Sequence, residues 1–182
     1  WLTMRTMSLF ESGDSAGEVS LSELFNHPTD VFAENKLTID DLAFLICRGG
    51  WPMSVDMKKE IALEQAFDYY EAVVNSDITR VDGVSRDAER AKRIMKSYAR
   101  NQGGQVSLNA ICADITTNDS VNANTETISS YVKKKKKIFV IEDSPAWNPN
   151  LRSRTAIRTS DTRYYSDPSI GTAALGLGPN DL

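Results

Sequence analysis

The stretch that decides the fold is NTETISSYVKKKKKIFVI, residues 124–141. Asn124 can cap a helix, and Glu126 falls in its first turn, where the helix dipole favours a carboxylate. Apolar residues then recur at helical spacing from Ile128 to Val132, and residues 138–141 form an apolar β-type run. The stretch therefore predicts a helix that leads through five lysines into a β-strand.

Two helical patterns precede this stretch, and a second β-type run follows it. Apolar residues at every third or fourth position from Ala88 to Ala99 predict a helix capped by Ser85, and Leu108 to Ile115 predict another. The later β-type run is Thr162 to Tyr165. Three helices followed by a hairpin are the element order of a winged helix-turn-helix. We therefore expect a mainly α fold with a winged helix and a β-hairpin over residues 85–167.

The N-terminal half carries further helical signals. Ser20 and Thr38 each precede an acidic residue by three positions, which is capping-box spacing, and Gly49-Gly50 can end the second of these helices. The longest periodic pattern runs from about Ser54 to Asn75. We expect residues 20–81 to be almost wholly helical.

Charge is distributed unevenly along the chain. Residues 1–85 contain 6 Lys or Arg and 15 Asp or Glu, whereas residues 86–182 contain 15 and 10. The first part is therefore acidic and the second basic, an asymmetry that indicates a polyanion-binding segment. In a winged helix, the third helix and the hairpin arm both need cations to contact DNA. The candidate nucleic-acid-binding residues are Lys133, Lys134, Lys136, Arg152, Arg154 and Arg158.

Two functions fit this charge pattern. Double-stranded DNA is the first expected partner. The alternative is a docking platform whose basic arm meets an acidic protein or the acidic half of its own parent protein, and the order of elements does not choose between the two functions. The sequence does not decide how the five lysines of residues 133–137 pack. The apolar stripe that begins at Ile128 calls for an apolar residue near Lys135, so this turn is either exposed or formed by snorkelling lysines. One helix can direct only two or three of the five lysines at one ligand.

The sequence lacks the motifs of several classes of enzyme, metal-binding protein and membrane protein. It contains no Gly-x-x-x-x-Gly-Lys-Ser/Thr loop, so we expect no nucleotide hydrolysis by this chain alone. His27, its one histidine, stands beside Pro28, which argues against histidine catalysis or a zinc site. Cys47 and Cys112 lie among apolar residues and fit buried thiols in a reducing cytoplasm. No apolar run is long enough for a membrane span, and no metal site is expected.

Seven stretches of the chain resemble a bacterial family of predicted AAA-superfamily ATPases with a C-terminal domain of unknown function. The resemblance implies a parent protein whose N-terminal ATPase domain binds ATP and magnesium, and of which this chain is the C-terminal region. In that family, apolar residues stand where this sequence has Lys134 and Lys135. The similar stretches are residues 4–13, 47–52, 69–71 with 76–78, 97–101, 137–143, 145–149 and 161–168.

This resemblance implies four regions. We expect residues 1–19 to be the tail of the preceding ATPase domain, 20–84 a helical region, 85–167 the winged-helix-like domain and 168–182 the start of a nuclease-like C-terminal domain. In the resulting hypothesis, the helical region transmits motion from the ATPase domain to a basic module that holds nucleic acid. We expect no cofactor in this chain itself, and the parent's ATPase domain as its partner.

Overall fold

The computed structural model describes residues 3–77, 87–117, 124–147 and 160–182. This part of the chain contains eight α-helices, and α4 continues into a π-helical turn, Val73–Asp77. A short 3₁₀ turn, Pro179–Asp181, follows the last helix. The helices are α1 (Leu21–Asn26), α2 (Ile39–Arg48), α3 (Pro52–Val55), α4 (Lys59–Ala72), α5 (Ala88–Arg100), α6 (Leu108–Thr117), α7 (Thr125–Lys137) and α8 (Pro168–Leu175).

Local side chains explain where the helices begin. Thr38 forms the predicted capping box of α2, because its hydroxyl accepts from the Asp41 amide at 3.1 Å and the Asp41 carboxylate accepts from the Thr38 amide at 3.0 Å. Asn124 caps α7 as predicted. The start of α5 differs from the prediction, since Asp87 caps it and Ser85 lies outside the described residues.

Five helices, α4 to α8, surround one hydrophobic core. Helix α8 lies against α2, α4 and α5, so the C-terminal part of the sequence packs on both the acidic and the basic part. Trp51 joins this assembly through its ring contact with Tyr69, whose centroid is 4.5 Å away. The largest fully buried apolar side chains are Tyr98, Ile94, Met95, Ile111, Ile128 and Ile170.

The predicted winged helix with a β-hairpin is wrong. Where a hairpin was expected, the described residues form only isolated antiparallel bridges, which pair Gln105 with Thr162, Ile141 with Tyr165, and Ser144 with Thr162.

A tight turn after α7 explains the difference. The Phe139 amide donates to the Lys136 carbonyl at 3.2 Å, and the Val140 amide donates to the Lys135 carbonyl at 2.9 Å. Half of the predicted strand at residues 138–141 is thus used to close the helix, which leaves too few extended residues for a continuous ladder. Pro145 then lacks the amide hydrogen that further pairing would need.

The expectation that residues 20–81 are almost wholly helical is also wrong. Residues 27–38 form no helix and are mostly exposed, and the pattern from Ser54 to Asn75 is interrupted between α3 and α4. Pro52 begins α3 at its first turn, a position where the missing amide hydrogen costs nothing. None of the described helices combines the length and apolar character that a bilayer crossing requires.

Candidate functional site

The five lysines at the end of α7 point in different directions. Successive residues are rotated by about 100° around a helix, so adjacent side chains diverge. Lys133, Lys134 and Lys137 line one concave surface, whereas Lys136 lies on the side that faces Asp143. Lys135 is directed into the protein and is fully buried.

The concave surface, which we call the lysine groove, encloses about 510 Å³. It combines three ammonium groups with the hydroxyls of Ser129 and Ser130, which can donate hydrogen bonds to an anion, whereas the Thr125 hydroxyl donates to Asn109 Oδ1 at 2.9 Å. Glu126 contributes one carboxylate to its lining, in the first turn of α7. The lining residues are Thr125, Glu126, Ser129, Ser130, Lys133, Lys134 and Lys137.

Lys135 is 0% exposed, and its Nζ has no hydrogen-bond partner in the described part of the chain. Burial lowers the pKa of Lys135 to about 7, because an ammonium group loses its hydration in the interior. Neither exposure nor snorkelling, the alternatives left open by the sequence, describes this side chain.

Lys136, which is 40% exposed, belongs to an ion cluster around the buried Asp143 carboxylate. The Asp143 carboxylate, 1% exposed, accepts from Lys136 Nζ at 2.9 Å and from Arg163 Nη1 at 2.6 Å. Tyr98 also donates its hydroxyl to Asp143. Arg163 is fixed on its other edge, since its Nε donates to the Val106 carbonyl at 2.7 Å. We call Tyr98, Lys136, Asp143 and Arg163 the Asp143 cluster.

The hydrogen bonds within the Asp143 cluster set the protonation states of Asp143 and Tyr98. Burial opposes the charge on Asp143, but hydrogen bonds from Lys136, Tyr98 and Arg163 outweigh it and hold the pKa of Asp143 below its ordinary value. Burial raises the pKa of Tyr98, and its bond to Asp143 raises it further, so the phenol stays protonated. The cluster therefore holds Lys136 by a fixed negative charge.

A second cavity, which we call the aromatic cleft, encloses about 560 Å³ on the Lys136 side of α7. Arg5 bounds it, with Nε donating to both Glu142 carboxylate oxygens at 3.0 and 2.9 Å. Phe139 lines it with a side chain that is 67% exposed. The remaining lining residues are Thr3, Met4, Thr6, Trp51, Pro52, Tyr69, Lys136, Ile138, Ile141, Asp143 and Ser166.

The structure brings together some of the sequence-predicted site residues. Lys133 and Lys134 share the lysine groove, whereas Lys136 lies in the Asp143 cluster and the aromatic cleft. The remaining three predicted residues, Arg152, Arg154 and Arg158, lie outside the described residues.

Sequence reasoning missed the hydroxyl side of the lysine groove. A spacing of four along α7 places Ser129 below Lys133 and Ser130 below Lys134, and it also connects Lys133 with Lys137. That periodicity was a usable signal for the groove. No comparable signal connects Asp143 with Tyr98, which is 45 residues away.

In the described ranges, no group of three or more His, Cys, Asp or Glu side chains is placed to hold a metal ion. Cys47 is buried and Cys112 half-buried, and neither is in a disulfide. Burial raises the pKa of the Cys47 thiol, which keeps it protonated and unreactive.

A family model described as a domain of unknown function, DUF8612, matches residues 39–181. The match spans α2 to α8 and contains the lysine groove and the Asp143 cluster. The chain belongs to the DUF8612 family. No curated protein and no solved structure matches it. The family match supports the domain of unknown function that the resemblance implied, and an ATPase parent stays a proposal for this DUF8612 chain.

Proposed function

We propose that this DUF8612 domain binds nucleic acid by accepting backbone phosphates in the lysine groove. The observation that carries this proposal is that Lys133, Lys134 and Lys137 line one surface together with serine and threonine hydroxyls. Ammonium and hydroxyl groups are the usual donors to phosphate oxygens, and phosphate contacts supply most of the affinity in binding that does not depend on base sequence.

The charge of the groove limits the strength of this binding. Glu126 offsets one of the three lysines, and Lys136 is held by Asp143 on the other side of the helix. The groove therefore carries a net charge of about +2 and offers at most three lysine contacts to phosphate. We expect a dissociation constant of roughly 1 to 100 μM at physiological salt, as for non-specific binding, and a marked loss of affinity as salt is raised.

The test is fluorescence anisotropy of labelled oligonucleotides against salt concentration. The variant with Lys133, Lys134 and Lys137 all replaced by Ala should reduce the magnitude of the salt slope by about 2 to 3, because each phosphate contact contributes close to 1. The matched control replaces Lys36, Lys58 and Lys59, three exposed lysines outside the groove, and removes the same charge. Equal losses in the two variants would contradict the proposal.

Competition separates this function from the protein-docking alternative. If the groove binds nucleic acid, unlabelled oligonucleotide should displace the labelled oligonucleotide at a lower concentration than poly-glutamate of equal charge does. A surface that docks an acidic protein has no need of phosphate geometry, so the two competitors should then be equivalent.

We also propose that the domain acts as the coupling part of an AAA-superfamily ATPase. The resemblance of residues 4–13 to the end of such an ATPase supports this, together with the way that this segment is attached. Arg5 pairs with Glu142, the Thr6 hydroxyl donates to the Ser166 carbonyl at 3.5 Å, and the Met7 amide donates to the Gly50 carbonyl at 2.7 Å. Movement of the segment would therefore reach both the aromatic cleft and the end of α2.

Coupling can be measured in the longer protein as stimulation of ATP hydrolysis by nucleic acid. Arg5→Ala should reduce this stimulation and leave the unstimulated rate unchanged, because Arg5 contacts the DUF8612 domain through Glu142. Lys36→Ala is a control that removes one exposed cation outside the attachment. Stimulation that is unchanged in Arg5→Ala would count against the coupling role.

A further inference from the structure

We infer that the lysine groove receives a single-stranded nucleic acid, and that Phe139 stacks on one of its unpaired bases at the aromatic cleft. This inference rests on the proposed phosphate binding and adds the class of nucleic acid. The ligand that would bind here is an unpaired base next to a phosphodiester, a combination that single-stranded DNA and RNA share.

The two cavities flank the same end of α7. Lys137 lines the lysine groove, Lys136 lines the aromatic cleft, and Phe139 follows two residues later. A helix with its side chains is about 10 to 12 Å across, so a strand that passes the helix end reaches both cavities. Phosphates can then lie in the groove while an adjacent base lies over Phe139.

Phe139 is held out of the core by its backbone. Its φ of 57° lies in the left-handed region, which residues other than glycine rarely adopt. The turn is anchored on both sides, by the bond from the Phe139 amide to the Lys136 carbonyl and by Val140, which is fully buried. The ring is consequently presented to solvent from a rigid support, as a stacking platform requires.

The aromatic cleft suits a neutral planar group better than a phosphate. Its cations are already paired, Arg5 with Glu142 and Lys136 with Asp143. Trp51 and Tyr69 add aromatic surface to the lining, and the hydroxyls of Thr3, Thr6 and Ser166 provide hydrogen-bonding groups for a base edge. Phosphate recognition and base stacking therefore fall on opposite sides of α7.

Duplex nucleic acid fits this arrangement poorly. Paired bases are stacked on each other and offer no free face, whereas an unpaired base can stack on an aromatic side chain. Because every base has a π-face, we expect little dependence on base sequence.

The experiment compares the affinity of oligo-dT, oligo-U and a DNA duplex of equal length by anisotropy, at one salt concentration to rank the ligands and at several to obtain the salt slope. Both single strands should bind more tightly than the duplex, and the dT and U arms separate DNA from RNA. Phe139→Ala should weaken single-strand binding by about fivefold to a hundredfold, the range for loss of one stacked base, with an unchanged salt slope. Phe139→Trp should retain binding.

The matched control is Phe25→Ala, since Phe25 is a similarly exposed phenylalanine, 82% exposed on α1. Circular dichroism of each variant verifies folding. Unchanged single-strand affinity in Phe139→Ala, or equal affinity for duplex and single strands, overturns the stacking inference. Phosphate binding is then still supported if the variant with Lys133, Lys134 and Lys137 replaced by Ala loses affinity. Failure of all three oligonucleotides to bind overturns both proposals.

Discussion

The amino group of Lys135 is buried without a hydrogen-bond partner in the described structure, so this residue couples folding to pH. Its pKa is about 7 in the folded protein, compared with an ordinary value of 10.5. Between these values the unfolded chain holds a proton that the folded chain releases, so stability increases as pH rises from about 7 to about 10.5. At neutral pH the cost is of the order of 5 kcal/mol.

Lys135→Met should therefore stabilise the protein. We expect the free energy of unfolding to increase by at least about 2 kcal/mol at pH 7.5, and the pH-dependent part of this gain to disappear near pH 10. Urea denaturation at several pH values measures both effects. Lys133→Met is the matched control on the exposed side of the helix, and it should change stability little. A gain with no dependence on pH would show that Lys135 is not neutralised by folding.

Asp143→Asn should destabilise the protein by about 3 kcal/mol, because it removes the nearer counter-charge of the buried Arg163 and leaves only Asp161, whose side chain is 40% exposed and whose Oδ2 is 3.9 Å from Nη1. The folded pKa of Asp143 is lowered, so its stabilisation is present above the unfolded pKa and is lost as pH falls through the folded value. The acid limb of the stability curve should accordingly flatten in the variant. Glu142→Gln, whose partner Arg5 is 61% exposed, is the control and should have a small effect. Urea denaturation from pH 7 down to pH 3 measures this comparison.

Residues whose partners are near in sequence were predictable, and those with distant partners were not. Thr38 and Asn124 cap helices by bonds to amides three residues away, which a local pattern predicts. Asp143 is stabilised by Tyr98 and Arg163, 45 and 20 residues away. The sequence shows only that adjacent carboxylates diverge, and each of Glu142 and Asp143 indeed has its own cation.

Among the elements, helices with one buried face were predictable from their period. Helix α5 carries an apolar stripe of buried residues from Ala91 to Ala99 along one face. Helix α8 gave no periodic signal, because six of its eight residues are buried and a helix buried on most sides has no polar face, although Asp167, Pro168 and Gly176 do mark its ends. The strand prediction at residues 138–141 failed because a short apolar run fits a strand and a buried turn equally well.

The junction of α2 with α8 depends on Gly49. Its φ of 71° and ψ of −175° lie in a region that is essentially restricted to glycine. A Cβ atom at Gly49 would also lie 2.2 Å from Asp167 Oδ1 and 2.6 Å from Ser169 Oγ. Asp167 and Ser169 are buried at the start of α8, and Asp167 accepts from the Gly50 amide at 2.9 Å.

Gly49→Ala should therefore cost at least about 2 kcal/mol of stability, from backbone strain together with displacement of Asp167. Gly103→Ala is the matched control, since Gly103 has a φ of 77° and an added Cβ would meet nothing within 4 Å beyond its chain neighbours. It should cost about 1 kcal/mol, from backbone strain alone. Thermal unfolding compares the variants, and equal losses would refute the role assigned to the α2–α8 junction.

At the scale of the whole molecule, the acidic and basic parts of the sequence are joined by ion pairs and by a shared core. Glu71 on α4 pairs with Lys92 on α5 at 3.3 Å, and Arg5 pairs with Glu142. Helix α8 packs on helices from both parts. Charge along the sequence therefore indicated the surface chemistry of α7 but gave no information about how the two parts pack.

Isothermal titration of this chain with MgATP should show no specific binding, because its sequence contains no phosphate-cradling glycine loop. Micromolar binding at a fixed stoichiometry by this chain alone would require a nucleotide site of a different kind.

The position of α8 has a consequence for synthesis. Helices α4 to α7 leave the ribosome before α8 does, yet Ile170 and Ala173 of α8 complete their core. Until α8 is synthesised, the nascent chain exposes the apolar surface that α8 covers in the folded protein, and exposed apolar surface promotes aggregation and chaperone binding. A stop codon at Asp167 should consequently yield polypeptide in the insoluble fraction of expressing cells, whereas a stop codon at Leu182 should not. Soluble, cooperatively unfolding protein from the shorter reading frame would contradict this.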